Sequence, residues 1–441
     1  MTNKLPLNWC ECKFGDICYL QNGYAFNSKE YSDSGINLIR ISDIKDDKVI
    51  TDNCVKVCDN VDISFRVNKG DFLLAMSGAT TGKTGVYLYD NYALLNQRVG
   101  NLKIYSEDVL HPMYRNYFIM NKRREIEKKA YGGAQPNISK QLIEDLDLLL
   151  PPLAEQKRIV GKIEQMFEKI DAGVQKLKSA QEKIKQYKQS VLHSAFTGKL
   201  YKTTEWQQTK LSEISNVLGG YAFKSNLFTT DGYQIIRMSN IKPLELNLKE
   251  RPVFIKNIDN KLKQQYMLMP NDIVITLTGT RKKRDYGYVV LIETNSGLLL
   301  NQRLARLRPN FKVKPKYLAY ALQSEPYQSQ FFSYETGNVG QGNVSMKALI
   351  EEAIYLPTIP EQERIVEEIE KRFAKADKML EGVEKSLKSA EQLKQSVLKK
   401  AFEGKLVPQD PNDEPASVLL ARIKSEKQQN EKVKGKRNDR K

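Results

Sequence analysis

Residues 77–84 read Ser-Gly-Ala-Thr-Thr-Gly-Lys-Thr, the residue types of a phosphate-cradling loop. That chemistry requires G-x-x-x-x-G-K-[ST], because four residues between the glycines let backbone N–H groups wrap the phosphates before the lysine arrives. Gly78 and Gly82 enclose only three residues, so the loop is one residue short. A related stretch, Thr278-Gly279-Thr280-Arg281-Lys282-Lys283-Arg284, keeps the hydroxyl–glycine pair and has no Gly-Lys-Thr. Neither copy offers an acidic strand end as a magnesium ligand. Nucleotide hydrolysis is therefore set aside. Both stretches read as turns after a buried strand, one carrying Lys83 and the other four consecutive cations. In a basic protein such cations suit phosphate or groove contact; a solvated loop is the plainer alternative.

Other catalytic chemistry finds little support. His111 and His193 are the only histidines, too few and too far apart for a metal cluster or a paired general base. Cys10, Cys12, Cys18, Cys54 and Cys58 are spaced C-x-C and C-x-x-x-C, poor matches to zinc-ligand spacing. Their odd number argues for free thiols in a reducing compartment. No apolar run approaches the 18 residues of a membrane span, and the first residues do not form a charged-then-apolar leader. The expected location is cytoplasmic. Trp9 and Trp206 occupy equivalent places and read as core anchors.

The formal net charge is +17, which suggests a polyanionic partner, most simply nucleic acid. The charge is uneven. Residues 1–150 hold 19 Lys and Arg against 19 Asp and Glu, whereas residues 201–356 hold 21 against 13. Any nucleic-acid contact in the first third must come from a local patch.

The chain is written twice. Gly-Tyr-Ala-Phe at 23–26 returns at 220–223, and Leu-Ile-Arg-Ile-Ser-Asp-Ile at 38–44 returns as Ile-Ile-Arg-Met-Ser-Asn-Ile at 235–241. Leu-Leu-Asn-Gln-Arg at 94–98 returns at 299–303. LPPLAEQKRIV at 150–160 returns as LPTIPEQERIV at 356–366, and SVLHSAFTGKL at 190–200 as SVLKKAFEGKL at 396–406. So long a period marks a duplicated domain pair rather than a solenoid. Each copy opens with short β-rich runs and a helical stretch (near 109–130 and 315–332), which predicts a mixed α+β globule. Each closes with a long helix whose apolar residues alternate at three and four, from Ile163 to Val191 and from Ile369 to Val397, the seam of a coiled coil. Thr358 with Glu361 forms a capping box, and Gly198 and Gly404 supply stops. Two equivalent helices in one chain would pair with each other, antiparallel if a two-fold relates the copies. The expected organisation is a globule over 1–150, a helix over 151–200, a second globule over 201–356, a second helix over 357–407, and a basic tail without fixed structure over 408–441.

These motifs resemble the specificity subunit of a Type I restriction–modification system. The likeness is carried by GDFLLAMSGATTGKTGVYL, by the LNQR element, and above all by LPPLAEQKRIVGKIE running to AFTGKL, the helical motif being present twice. It implies two target recognition domains, each reading one half of a split double-stranded DNA sequence. It also implies helices that set the spacing and dock two methyltransferase subunits, with restriction/translocase subunits completing the complex. No cofactor is expected in this chain. S-adenosylmethionine would belong to the methyltransferase partner, and ATP with magnesium to the restriction partner. The chain itself shows no glycine-rich S-adenosylmethionine motif and no Asn-Pro-Pro-Tyr-like tetrapeptide. A stand-alone sequence-specific or architectural DNA-binding protein with a coiled-coil spacer is the alternative.

Residues shared by both copies cannot distinguish two different half-sites, so they should hold the fold or grip the backbone; readers should lie where the copies diverge, at 79–84 against 280–286, 53–68 against 250–266, and 131–135 against 334–341. The expected DNA-contacting set is Ser77, Thr80, Thr81, Lys83, Arg98, Tyr131, Gln135 and Asn137 in the first copy. In the second it is Thr278, Arg281, Lys282, Lys283, Arg284, Arg303, Tyr334, Gln341 and Asn343. The repeated helix starts supply the expected partner-binding set: Glu155, Gln156, Arg158 and Ile159, with Glu361, Gln362, Arg364 and Ile365.

Overall fold

A computed structural model describes residues 5–45, 47–130, 136–200, 206–294, 297–338 and 340–425. The chain divides into two compact units, residues 1–175 with 387–441 and residues 176–386. Each holds one recognition domain and parts of two 44-residue helices, α1 (Leu153–Phe196) and α2 (Ile359–Phe402).

In the first recognition domain the strand Phe72–Ala75 is buried at every position, as an all-apolar run between two covered faces should be. It pairs antiparallel with Val99–Ile104 and with Thr84–Val86 in a six-stranded sheet. A four-stranded sheet runs Lys56–Val57, Ile36–Ile39, Ala93–Leu95, Arg66–Val67. The strand Cys10–Lys13 pairs with Asp147–Leu150, just before α1. The helix Pro112–Ala130 packs Tyr114, Tyr117 and Phe118 into the main core.

The second domain repeats this frame in the same register. Ala75 faces Val99 in the first, and Thr276 faces Leu304 in the second; Leu20 faces Leu102, and Val217 faces Leu307. Two differences are local. The long helix is broken into Pro315–Gln323 and Glu325–Ser333 at an extended Ser324, since Pro326 has no N–H to offer the carbonyl of Leu322 and its ring would clash with it in a continuous helix. The strand Thr278–Thr280 pairs with Gln341–Asn343, where the described residues of the first copy show a Ser77–Asn137 bridge.

The helices pack antiparallel within each unit. In the first, Ile159, Val160 and Ile163 of α1 share a core with Val397, Leu398 and Ala401 of α2. Lys394 pairs with Asp171 at 2.5 Å and lies 4.9 Å over the Phe167 ring. In the second, Val191, Leu192 and Ala195 share a core with Ile365 and Ile369, while Lys188 pairs with Asp377 and lies 4.9 Å over Phe373. The same contacts are thus made twice with the helices exchanging roles. Glu361 Oε2 accepts from Thr358 N at 3.1 Å and from its hydroxyl at 2.8 Å. Gly198 and Gly404 end the helices at φ 72° and 68°, left-handed positions that suit glycine.

The expectation of an unstructured tail from 408 is corrected for residues 408–425. Ala416, Leu419 and Ile423 are buried in the first core, a stripe at helical spacing that composition alone concealed. Asn8 O accepts from Ala416 N at 2.9 Å, and Arg158 pairs with Asp413. Residues 426–441 lie outside the described residues. No described helix is long and apolar enough to cross a membrane.

Candidate nucleic-acid interface

Each recognition domain carries the same small frame beside its central strand. Tyr24 N donates to Leu95 O, Gln97 N to Tyr24 O, and Met76 N to Arg98 O, at 2.8, 2.9 and 2.9 Å. In the second copy Tyr221 N donates to Leu300 O, Gln302 N to Tyr221 O, and Leu277 N to Arg303 O, at 3.1, 2.8 and 2.9 Å. The repeated Gly-Tyr-Ala-Phe follows from this geometry. A Cβ at Gly23 would stand 2.2 Å from Asn96 O, and one at Gly220 1.8 Å from Asn301 O. Phe26 and Phe223 are buried beneath, and Tyr24 and Tyr221 rest on their edges at 5.0 and 5.1 Å. Asn96 is buried, whereas Gln97 and Arg98, like Gln302 and Arg303, are exposed at the tip. The shared motif holds the fold with its inner residues and presents an amide and a guanidinium outward.

The Ser77–Thr84 turn is not built for a nucleotide. Thr81 Oγ1 donates to Gly78 O at 2.6 Å and Thr80 Oγ1 to Ile41 O at 3.2 Å, so both hydroxyls are spent on backbone. Lys83 leads into the strand Thr84–Val86 rather than the helix N-terminus that gathers phosphate. Thr84 is buried and donates to Asp47 Oδ1. Lys83 is half-buried and Asn137 exposed; Ser77 Oγ is buried without a hydrogen bond among the described residues. Tyr131 and Gln135 lie outside the described residues.

The second turn is more cationic and more tightly held. Thr280 N and Oγ1 donate to the Asp285 carboxylate at 2.6 and 3.2 Å. Arg281 pairs with Glu335 at 3.0 Å, and Arg284 stacks 4.9 Å over Phe332. Burial, then its hydrogen bond to Glu335, raises the Tyr286 hydroxyl above its ordinary range. Lys282 and Lys283 are exposed, with no ion pair among the described residues. The row of four cations therefore divides into two braces and two open charges. Thr278 Oγ1 donates to Asn343 Oδ1 at 2.7 Å, so this pair is structural. Gln341 and Tyr334 are exposed. A cleft of about 410 Å³ brings Thr278, Thr280, Arg303 and Gln341 together with Ser239 and Lys242.

The sequence model described as the Type I restriction modification DNA specificity domain matches residues 6–182 and again residues 203–388. The chain belongs to this family. It is 25% identical over 452 residues to the Type I restriction enzyme EcoBI specificity subunit of Escherichia coli, spanning 95% of this chain and 92% of that protein. The EcoKI specificity subunit of Escherichia coli strain K12 is 24% identical, with 96% of each chain covered. A chain from a solved structure concerned with complex assembly and conformational transition of the type I R-M system superposes with TM-score 0.65 at 18% identity, covering 91% of this chain and all of that one. At that identity the likeness concerns the fold. Type I specificity subunits are DNA-recognition rather than catalytic subunits, and this chain is one of them.

Within the specificity-subunit fold five residues of the expected partner-binding set, Glu155, Gln156, Ile159, Gln362 and Ile365, are buried in sockets rather than offered as surface. Gln156 is fully buried; its amide donates to Val109 O and Pro151 O, and its Oε1 accepts from His111 N at 2.8 Å. Gln362 does the same with Lys312 O, Pro357 O and Lys314 N. Ile159 and Ile365 are each 1% exposed. Glu155 accepts from Trp9 Nε1 at 2.9 Å, Arg158 is tied to Asp413, and Glu361 is the cap. Of the eight residues only Arg364 is exposed. Their repetition reflects one way of plugging a helix into a globule. Elsewhere, burial pushes the Cys12 thiol up to about 12, an inert state for a cysteine.

Proposed function

We propose that this specificity subunit reads a split DNA target, one half through each recognition domain, and holds the halves at a fixed separation through α1 and α2. What supports the reading is one frame built twice, with Gln97-Arg98 and Gln302-Arg303 alike and the flanking turns different. Shared tips suit phosphate contact, and divergent turns suit base contact. In this reading Ser77, Thr80, Thr81, Lys83, Arg98, Tyr131, Gln135 and Asn137 act in the first half-site. Lys282, Lys283, Arg303, Tyr334 and Gln341 act in the second, while Thr278, Arg281, Arg284 and Asn343 shape its turn.

Two methyltransferase subunits dock on the helices, and restriction/translocase subunits join them. Tyr187 and Leu393, which hold equivalent places in α1 and α2, are 45% and 49% exposed, and exposed apolar residues at equivalent places suit two equivalent partners. The partners bring S-adenosylmethionine, ATP and magnesium, and the chain acts in the cytoplasm. Mapping methylated bases in cells that express the chain with its methyltransferase partner tests the reading. A split motif with a fixed gap is expected; a contiguous motif would overturn it, and full specificity by the chain alone would favour a stand-alone binder.

A further inference from the structure

The second recognition domain carries an arginine, Arg251, in a turn that the first domain builds one residue shorter. Ile50 and Asn247 are equivalent, donating to Asp43 O and Asn240 O at 2.8 and 2.7 Å. Val55 and Val253 are equivalent too, accepting from Leu38 N and Ile235 N at 2.8 Å each. Between these fixed points the first copy has four residues and the second has five. The added length carries Arg251 at φ 47°, a left-handed conformation that is uncommon for a long side chain. Such positions persist where surrounding structure over-determines them.

Here the surroundings do so. The Arg237 guanidinium donates to Arg251 O. Asn240, 1% exposed, donates from Nδ2 to Glu250 O at 2.8 Å and to Asn247 O at 3.0 Å. The first copy cannot build this brace. Asp43 stands where Asn240 does, and its carboxylate only accepts. It draws Arg40 into an ion pair at 3.8 Å. Asn240 replaces that charge with a donor and leaves Arg237 to hold the turn. The Arg251 side chain itself is exposed and makes no hydrogen bond or ion pair among the described residues. It lines a cleft of about 350 Å³ with Gln302 and Arg303. Arg303 is also left-handed, at φ 67°.

We propose that Arg251 reads a guanine in the second half-site, positioned by Arg237 and Asn240, while Arg303 holds a neighbouring phosphate as Arg98 does in the first. The proposal rests on the split-target reading above. A guanidinium fork matches the two acceptors O6 and N7 of guanine, whereas adenine sets a donor beside N7. Arg303 has a counterpart of the same type, so it cannot separate the half-sites; Arg251 can.

The test uses the full chain with its methyltransferase partner and duplexes carrying the mapped site. Each guanine of the second half-site is replaced in turn by 7-deazaguanine, which lacks N7. One position should lower methylation kcat/KM by roughly 5- to 150-fold, the range for a bidentate arginine–base pair. Arg251→Gly, which tolerates the left-handed turn, should lose that sensitivity and accept other bases there, with the first half-site unchanged. Arg251→Lys should keep binding and part of the 7-deazaguanine effect, because an ammonium can still donate to O6 and N7. Asn240→Asp, which restores the first copy's carboxylate, should weaken discrimination at that same position only. A second half-site without guanine, or Arg251→Gly discriminating as the parent does, would overturn the assignment while a split methylated motif still stood. A methylome without a split motif would overturn the reading beneath it.

Discussion

The turn after the central strand closes on its own hydroxyls in the first recognition domain, with Thr80 and Thr81 bonded to nearby carbonyls. In the second domain the same turn is braced by carboxylates, Asp285 holding Thr280 and Glu335 holding Arg281. Beneath both turns the strands keep one register. The first domain is electrically neutral, and the second has eight more cations than anions. The difference teaches where variation is tolerated: the strands, the Gly-Tyr-Ala-Phe bend and the glutamine sockets are constrained by packing, whereas the turns answer only to what they touch. It also bears on affinity. On the proposed reading, the second domain should supply more of the salt-dependent attraction to DNA than the neutral first.

The sharpest way to break the comparison is to charge the equivalent core residues. Ile159→Asp and Ile365→Asp each bury an unpaired carboxylate and should cost about 4 kcal/mol or more. Hydrogen exchange should show lost protection in residues 1–175 with 387–425 for the first variant, and in 176–386 for the second. Both units staying protected while the methyltransferase fails to bind would return these residues to a docking surface.

A buried acid separates the two cores next. Glu352 is fully buried beside Tyr327 with no ion pair among the described residues, and burial pushes its carboxyl up to about 7. The first copy has Leu146 at this place, as Phe14 N donates to Leu146 O where Leu211 N donates to Glu352 O. A raised carboxyl stabilises the fold below the unfolded value near 4.5, and that contribution is lost as pH rises toward 7. The loss is about 3 kcal/mol at 1.36 kcal/mol per unit. Glu352→Leu should remove this slope and raise the melting temperature at pH 8, whereas Leu146→Glu should introduce the slope into the first unit. A parent protein whose stability does not change between pH 5 and 8 would contradict the burial argument.

Gln156→Ala and Gln362→Ala should each cost about 1–3 kcal/mol, because each strands buried backbone groups. Near-equal losses in denaturant titrations would confirm equivalent sockets, and a loss confined to one would separate them. The smallest effect belongs to the open cations. Removing Lys282 and Lys283 should flatten the log–log salt dependence of DNA binding by about 1.8, and removing Lys83 by about 0.9. Arg281→Ala should alter the slope less, since Glu335 already holds its charge. Equal slopes for all variants would make both turns merely solvated.

The duplication, the mixed globules and the antiparallel helices were legible in the sequence because each rests on repeated residues or on a regular apolar period. The same logic misled at the helix starts. Glu155, Gln156 and Ile159 repeat as closely as a docking surface would, yet they repeat because a buried amide must meet three backbone groups. Tyr187 fits the heptad spacing and is nevertheless 45% exposed, since spacing gives a face and not its depth. Arg251 was hidden by a difference of one residue, which shifts the alignment where the brace forms. Of the four cations from Arg281 to Arg284, sequence could not tell which were already spent, because Glu335 and Phe332 come from a distant helix and its end.

The most direct test of one frame with two independent readers is an exchange of residues 1–150 for the first domain of another specificity subunit. The account predicts a methylome in which one half of the recognised sequence changes, while the other half and the gap stay as they were. A change in both halves, or in neither, would contradict it.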